Sequence, residues 1–318
     1  MNKFFSNKSI YLYTLPVILS ELLEEAMILS DSILLSFKDP LFLSTVGIID
    51  SILLLCLALG DSMNDSFQNF YSRHSNDVAR CRGVFSNSLF LFTGVGVILG
   101  LLSCTIPLFK PIFGGSHFEI LVSVVPYLAI LVALSFISMS LNSLLMGWGY
   151  TKYLGMVSLV SVLTNLLLGY LLLYIFDIGI NPCAIILITS SIAECIAIFF
   201  MLMKIINIHN SSNNLIVVKC HQTTILKILV FASVYPCVTD IGFHVGSLAL
   251  YSYCLFYFQD SETAMFTLFM SYWGMLQVPS QGFSETAINI FSDIYTRKLI
   301  NIYDRVKKKL YLCLFYRV

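Results

Sequence analysis

Long apolar runs follow one another along this chain, separated by short polar stretches. A run of about 20 apolar residues or more reads as a membrane-crossing helix, because the hydrocarbon core of a bilayer is about 30 Å thick. The pattern predicts such helices near 11–37, 41–66, 83–108, 118–145, 153–176, 183–203, 226–257 and 263–291. Several are longer than the minimum, which predicts tilt. The apolar tail Leu310–Val318 is too short to cross and reads as the opening of a ninth span. The expected fold class is therefore all-α, a polytopic membrane bundle of about eight transmembrane helices. The division follows from the longest polar break: a six-helix N-terminal lobe over 1–205, a cytoplasmic linker over 206–225, and a partial second lobe over 226–318.

Composition agrees. Hydrophobic residues make up 58% and charged residues 11%, against about 25% charged in a soluble domain. The formal net charge is zero, which offers no bulk attraction to nucleic acid. Nine cysteines, an odd number, lie mostly inside apolar runs without metal-ligand spacing, and read as small packing residues. The start, MNKFFSNKS, resembles the basic region of a signal peptide, but the following segment is too long and too acidic and lacks a small-residue cleavage site. It reads as a retained first span.

Charge also sets the orientation. With the N-terminus in the cytoplasm, fifteen Lys and Arg fall on the inner side and only Lys38 and Lys110 on the outer, the asymmetry of a cytoplasmic N-terminus. The expected location is the plasma (inner) membrane. A weak internal repeat supports two lobes in the same orientation: Pro16 matches Pro236, Glu21 matches Asp240, and Gly60 with Ser62 matches Gly282 with Ser284. Parallel repeats of this kind occur in transporters.

The first span carries the most informative chemistry. Glu21, Glu24, Glu25 and Asp31 lie inside an apolar run. Its thirteen Leu, Ile, Val and Phe residues contribute about −4 to −8 kcal/mol to insertion, whereas four lipid-facing carboxylates would cost about +10 kcal/mol or more. The acids must therefore face protein or water, and intramembrane acids mark functional sites by default. Seven residues bring a helix back to within about 20°, so Glu24 and Asp31 share a face and Glu21 lies about 60° away. These three form one acidic stripe; Glu25 points about 100° from Glu24. Such a stripe can carry protons, hold Na⁺ with Asn165 supplying an oxygen beside Asp31, or hold an organic cation with aromatic help. Simpler readings stand beside these. Asp31 can be capped by a neighbouring Ser or backbone group, and Glu21, Glu25, Asn165, Asn142 and Glu194 can serve as interhelical hydrogen-bonding groups. Asp50 adds to the acidic character, while Asp61 and Asp65 are expected near the cytoplasmic headgroups. Asp240, with His244 one turn on, is a second candidate site. Gly96 and Gly100 have GxxxG spacing and predict close helix packing. Pro16, Pro126 and Pro236 permit bends. No catalytic spacing of nucleophile and base, zinc-type His pair or catalytic diacid is present, so an enzyme is not expected, and no cofactor is implied.

The order of features resembles the multidrug and toxic compound extrusion (MATE) family. The matching residues are Leu15-Pro16 followed by Ser30-Asp31-Ser32 in the first span, the loop Tyr71–Arg82 with its scattered Arg, Asn142 followed by Gly147-Trp148-Gly149-Tyr150-Thr151, and Asn165 in the fifth span. The resemblance implies a cation-coupled antiporter, driven by H⁺ or Na⁺, that exports small organic, cationic compounds. It implies coupling or substrate roles for Asp31, Glu24, Glu21, Asn165 and Asp240, with a candidate Na⁺ position at Asp31 and Asn165. It also implies twelve spans in two lobes and a bending first helix. Two departures stand out: the chain reads as C-terminally shortened, and Gly169 stands where many members carry an acid. Two rival readings remain. One is a shortened non-transporting relative, or a subunit whose second lobe is completed by a partner or a second copy. The other is a flippase for lipid-linked oligosaccharides of the same superfamily, which would want basic residues, of which the spans contain almost none.

Overall fold

The computed structural model describes residues 7–75, 77–106, 115–176, 180–209 and 223–296. Within them the chain forms eight long helices: α1 (Asn7–Ser36), α2 (Pro40–Arg73), α3 (Val78–Ser103), α4 (Gly115–Gly147), α5 (Thr151–Tyr170), α6 (Pro182–His209), α7 (Thr223–Tyr257) and α8 (Asp260–Thr296). α5 continues as a π-helical turn over Leu171–Ile175. The apolar runs locate every helix, and the ends extend beyond them where polar residues continue or cap the turn. α2 shows this best. Asp39 caps its start by accepting from Leu41 N at 2.8 Å, with Pro40 in the first turn. Its far end runs on to Arg73 because Phe67, Phe70 and Tyr71 are buried and keep the turn packed. Asp77 caps α3 and Asn181 caps α6 in the same manner.

Six helices are long and apolar enough to cross a membrane by length and composition, α2 to α7. α1 and α8 are just as long, 30 and 37 residues, but carry the acids and polar residues that line the interior. The chain is a multi-pass membrane protein. The expected linker falls largely on residues 210–222, and the tail, Arg297 and Lys110 also lie outside the described residues.

α2 is the spine, packing against α4, α7 and α8. α1 is held between α5 and α8, α3 lies on α4, and α6 closes on α4 and α5. Two apolar cores result. One joins Leu34, Leu35, Ile48, Ile49, Leu121 and Leu128 toward the starts of α2 and α4. The other joins Phe67, Tyr71, Phe92, Phe136 and Leu144 toward their ends.

Glycines set the closest approaches. A Cβ on Gly100 would come within 2.6 Å of the Ala129 carbonyl oxygen, and one on Gly96 within 2.6 Å of Phe136 Cβ. The GxxxG pair is therefore the α3–α4 contact. Gly147 lies equally close to α2, against Tyr71 and Gln68. Two residues on, Gly149 adopts φ 81°. There Tyr150 N donates to Leu145 O and Gly149 N to Met146 O, both at 2.9 Å, a Schellman ending that favours glycine. Gly147 and Gly149 thus serve packing and helix termination.

Pro16, Pro126 and Pro236 lie inside α1, α4 and α7, and Pro279 lies inside α8.

Candidate functional site

α1 has one exposed, apolar face. Leu15, Leu19, Leu22 and Ile33 are exposed there, and at 100° per residue they fall within about 60° of one another. Glu24, nine residues after Leu15, is half a turn out of phase with that face. Its side chain is nonetheless exposed, so what it meets is an opening on the protein side of the helix. Its charged neighbours there are Glu21, Glu194 of α6, Asp61 of α2 and Glu25.

Around this opening the acids of several helices converge. Glu21 lies beside Glu285 of α8 and has Glu25 and Asp65 nearby. Glu285 in turn neighbours Asp65, Glu24 and Asp61. Asp61 is also exposed, and it neighbours Asp65, Glu21 and Asp240 of α7. Asp240 accepts from the Ser62 hydroxyl of α2 at 3.2 Å. Glu25 points at α8, where its carboxylate fills the space that a Cβ on Gly274 would take. Gly274 is what lets α8 come this close.

Asp31 sits differently. It is 7% exposed and its Oδ1 accepts from Asn165 Nδ2 of α5 at 2.8 Å. The Ser190 hydroxyl of α6 approaches Asn165 Oδ1 at 3.5 Å. Asp50 of α2 is its charged neighbour. α5 and α6 thus hold this one carboxyl group of α1, and Asn165 is itself fully buried. The amide donates to Asp31 and leaves its own oxygen beside Ser190, so the group of oxygens that could receive Na⁺ is Asp31, Asn165 and Ser190. A proton could equally be carried by Asp31 alone. Gly169 is one turn beyond Asn165; a Cβ there would already lie 3.1 Å from Leu34 Cδ1. Leu34 therefore fills the place of an acid at this position, and Asn165 is the group on α5 bonded to Asp31.

The stripe read from the sequence is split by depth. Asp31 and Asn165 come together in packed surroundings, and Glu21, Glu24 and Asp240 belong to the wetter group. α2 runs seven residues further than the apolar run suggests, and Asp61 and Asp65 neighbour Glu21, Glu285 and Asp240. His244 has Asp240 as a charge neighbour but forms its ring contact with Phe243. Glu285 was not singled out by sequence reasoning. The signal was available, since it is an acid inside an apolar span.

Within the helices, Lys and Arg are confined to the ends, with Lys8, Arg73, Arg80, Arg82, Lys152, Lys204 and Lys227 each lying within two turns of a terminus. Lys and Arg are absent from 9–37, 39–72, 83–109, 111–151, 153–203 and 228–296. Among the described residues no group of three or more His, Cys, Asp and Glu has a geometry able to hold a metal ion.

No protein-family model matches the chain, and no curated protein matches it. Solved structures do. A MATE transporter in complex with MaD5 superposes with a TM-score of 0.80 at 15% identity, over 96% of this chain and 70% of that one. The outward-facing conformation of a multidrug resistance MATE family transporter of the MOP superfamily gives 0.78 at 15% identity, over 96% and 68%. The MATE multidrug transporter DinF-BH gives 0.76 at 15% identity, over 90% and 65%. The chain has the fold of these transporters over nearly all of its own length and about two thirds of theirs.

Proposed function

We propose that the chain is a secondary transporter of the MATE type, a cation-coupled antiporter that moves small organic cations out across the plasma membrane, with its N-terminus in the cytoplasm. One observation carries the reading: acids from α1, α2, α6, α7 and α8 converge inside the bundle, and the middle stretches of the helices carry no Lys or Arg to balance them. Carboxylates in low dielectric need a counter-charge, a proton or both. A transported cation and a coupling proton or Na⁺ supply these in alternation. Glu24, Glu21 and Asp240 belong with the cargo, and Asp31 with Asn165 belongs with the coupling ion. The flippase reading is disfavoured by the same observation, since a pyrophosphate cargo would need basic residues where these acids stand.

The test is efflux of a fluorescent lipophilic organic cation of the rhodamine class from cells without their own pumps. The wild type is expected to lower dye accumulation, and Asp31→Asn and Glu24→Gln to abolish that effect at equal membrane abundance. Equal accumulation in wild type and empty-vector cells contradicts the proposal. Coupling is read in the same cells by replacing Na⁺ with choline or by collapsing the proton gradient.

A second reading has its own observation. α7 turns large apolar side chains outward, with Phe231 81% and Tyr235 83% exposed. A second copy or a separate subunit packed on α7 would cover this face. Blue-native electrophoresis distinguishes it: a species of twice the chain mass or more supports it, and a single-chain species opposes it.

A further inference from the structure

Three helices meet where α2, α4 and α8 begin, and a single imidazole joins them. His117 of α4 is 5% exposed. Its Nδ1 lies 2.9 Å from Thr45 Oγ1 of α2, and its Nε2 lies 3.1 Å from Asp260 Oδ1 of α8. Thr45 Oγ1 also lies 2.7 Å from the Leu41 carbonyl oxygen, one turn back in α2.

These contacts count protons. A hydroxyl has one hydrogen. If Thr45 donates it to Leu41, Oγ1 can only accept from His117, so Nδ1 carries a hydrogen. The Asp260 carboxylate, half-exposed and open to water, only accepts, so Nε2 carries one too. A ring with both nitrogens protonated is an imidazolium. When it loses one proton, either a lone pair faces the Asp260 carboxylate or Nδ1 faces the Thr45 oxygen. The second case can be mended only if Thr45 abandons Leu41.

We propose that His117 is a proton-operated clasp, closed as the imidazolium and loosened as the neutral ring, that ties the start of α8 to α2 and α4. The other charged groups on these elements are otherwise engaged or solvated. Asp39 caps α2, Lys38 lies 5.1 Å over the Tyr174 ring, Glu262 accepts from Gln259 N, and Glu119 is exposed. Asp260 is therefore the carboxylate bonded to the ring. α8 also carries Glu285 and the Gly274 that admits Glu25, so freeing its start gives this helix latitude against the acids of α1. The clasp does not depend on the chain being a transporter, and its test does not use transport.

The test is hydrogen–deuterium exchange of the full chain in lipid nanodiscs at about pH 5.5 and about pH 8. Exchange times are scaled for the intrinsic chemical rate. Peptides spanning 117–125 and 260–268 are expected to exchange several-fold more slowly at the lower pH. His117→Gln and Asp260→Asn are expected to erase that difference, while Glu119→Gln and Glu262→Gln leave it intact. Should His117→Gln fail to fold, Asp260→Asn decides, because its side chain is half-exposed. A wild type with no pH difference overturns the proposal, as does a difference that survives Asp260→Asn or disappears in either glutamate variant.

Discussion

Glu24 and Asp31 lie two turns apart on the same side of α1, yet their surroundings are opposites. Asp31 is enclosed by α5 and α6 and bonded to an amide. Glu24 faces an opening whose charged neighbours are all other acids. Helical phase alone makes the two equivalent; packing separates them. Near Asp31, α5 brings Gly169 against Leu34 and Asn165 against the carboxyl, so the helices close. Near Glu24, the facing groups are Asp61 and Glu194, which hydrate well and pack poorly. A carboxyl group that is tightly held suits a small ion or proton, and one that is open suits a larger cargo.

The comparison breaks most readily at Asn165. Asn165→Leu leaves Asp31 buried without its donor and is expected to cost about 1–3 kcal/mol of stability, read as a lowered midpoint in thermal unfolding in detergent. Glu24→Leu removes an unbalanced acid and is expected to leave the midpoint unchanged or raised. If the two variants shift it alike, the distinction between the two sites is lost. Gly169→Asp, which introduces an acid one turn beyond Asn165, is expected to cost about 1–3 kcal/mol through crowding against Leu34. Combining it with Leu34→Ala is expected to recover part of that loss. A Gly169→Asp chain as stable as wild type would show that Leu34 does not exclude the acid. The smallest effect is expected on the wet side. Ser62→Ala removes one hydroxyl from Asp240 and is expected to cost about 0.6 kcal/mol, the usual size of a hydrogen bond between membrane helices; a loss several times larger would make Asp240 as dependent on packing as Asp31.

Much of the architecture was legible in the chain. Apolar run length located the eight helices, and Gly96 and Gly100 announced the α3–α4 contact that the Ala129 backbone completes. The impossibility of four lipid-facing carboxylates predicts that the acids of α1 turn away from the helix's apolar face, and Glu24 lies opposite the exposed Leu15, Leu19, Leu22 and Ile33. Depth was not legible. Nothing in the spacing of Glu24 and Asp31 says which one α5 will cover, because that depends on Asn165, Gly169 and Leu34 meeting from distant parts of the chain. The end of α2 was hidden for a related reason: its last two turns are aromatic and polar, so hydropathy ended the helix early. The contact of His117 with Asp260 joins helix starts 143 positions apart, which no local pattern signals.

Thiol labelling tests the central claim directly. In a background with Cys104 and Cys195, exposed among the described residues, and with Cys220 and Cys313 replaced by Ser, Glu24→Cys and Asp31→Cys are treated with a positively charged, membrane-impermeant methanethiosulfonate in opened membranes. Reaction follows thiol exposure, so Glu24→Cys is expected to label at least about tenfold faster than Asp31→Cys. Equal rates at the two positions, or an unreactive Glu24→Cys in a folded chain, would contradict an opening lined by acids on the protein side of α1.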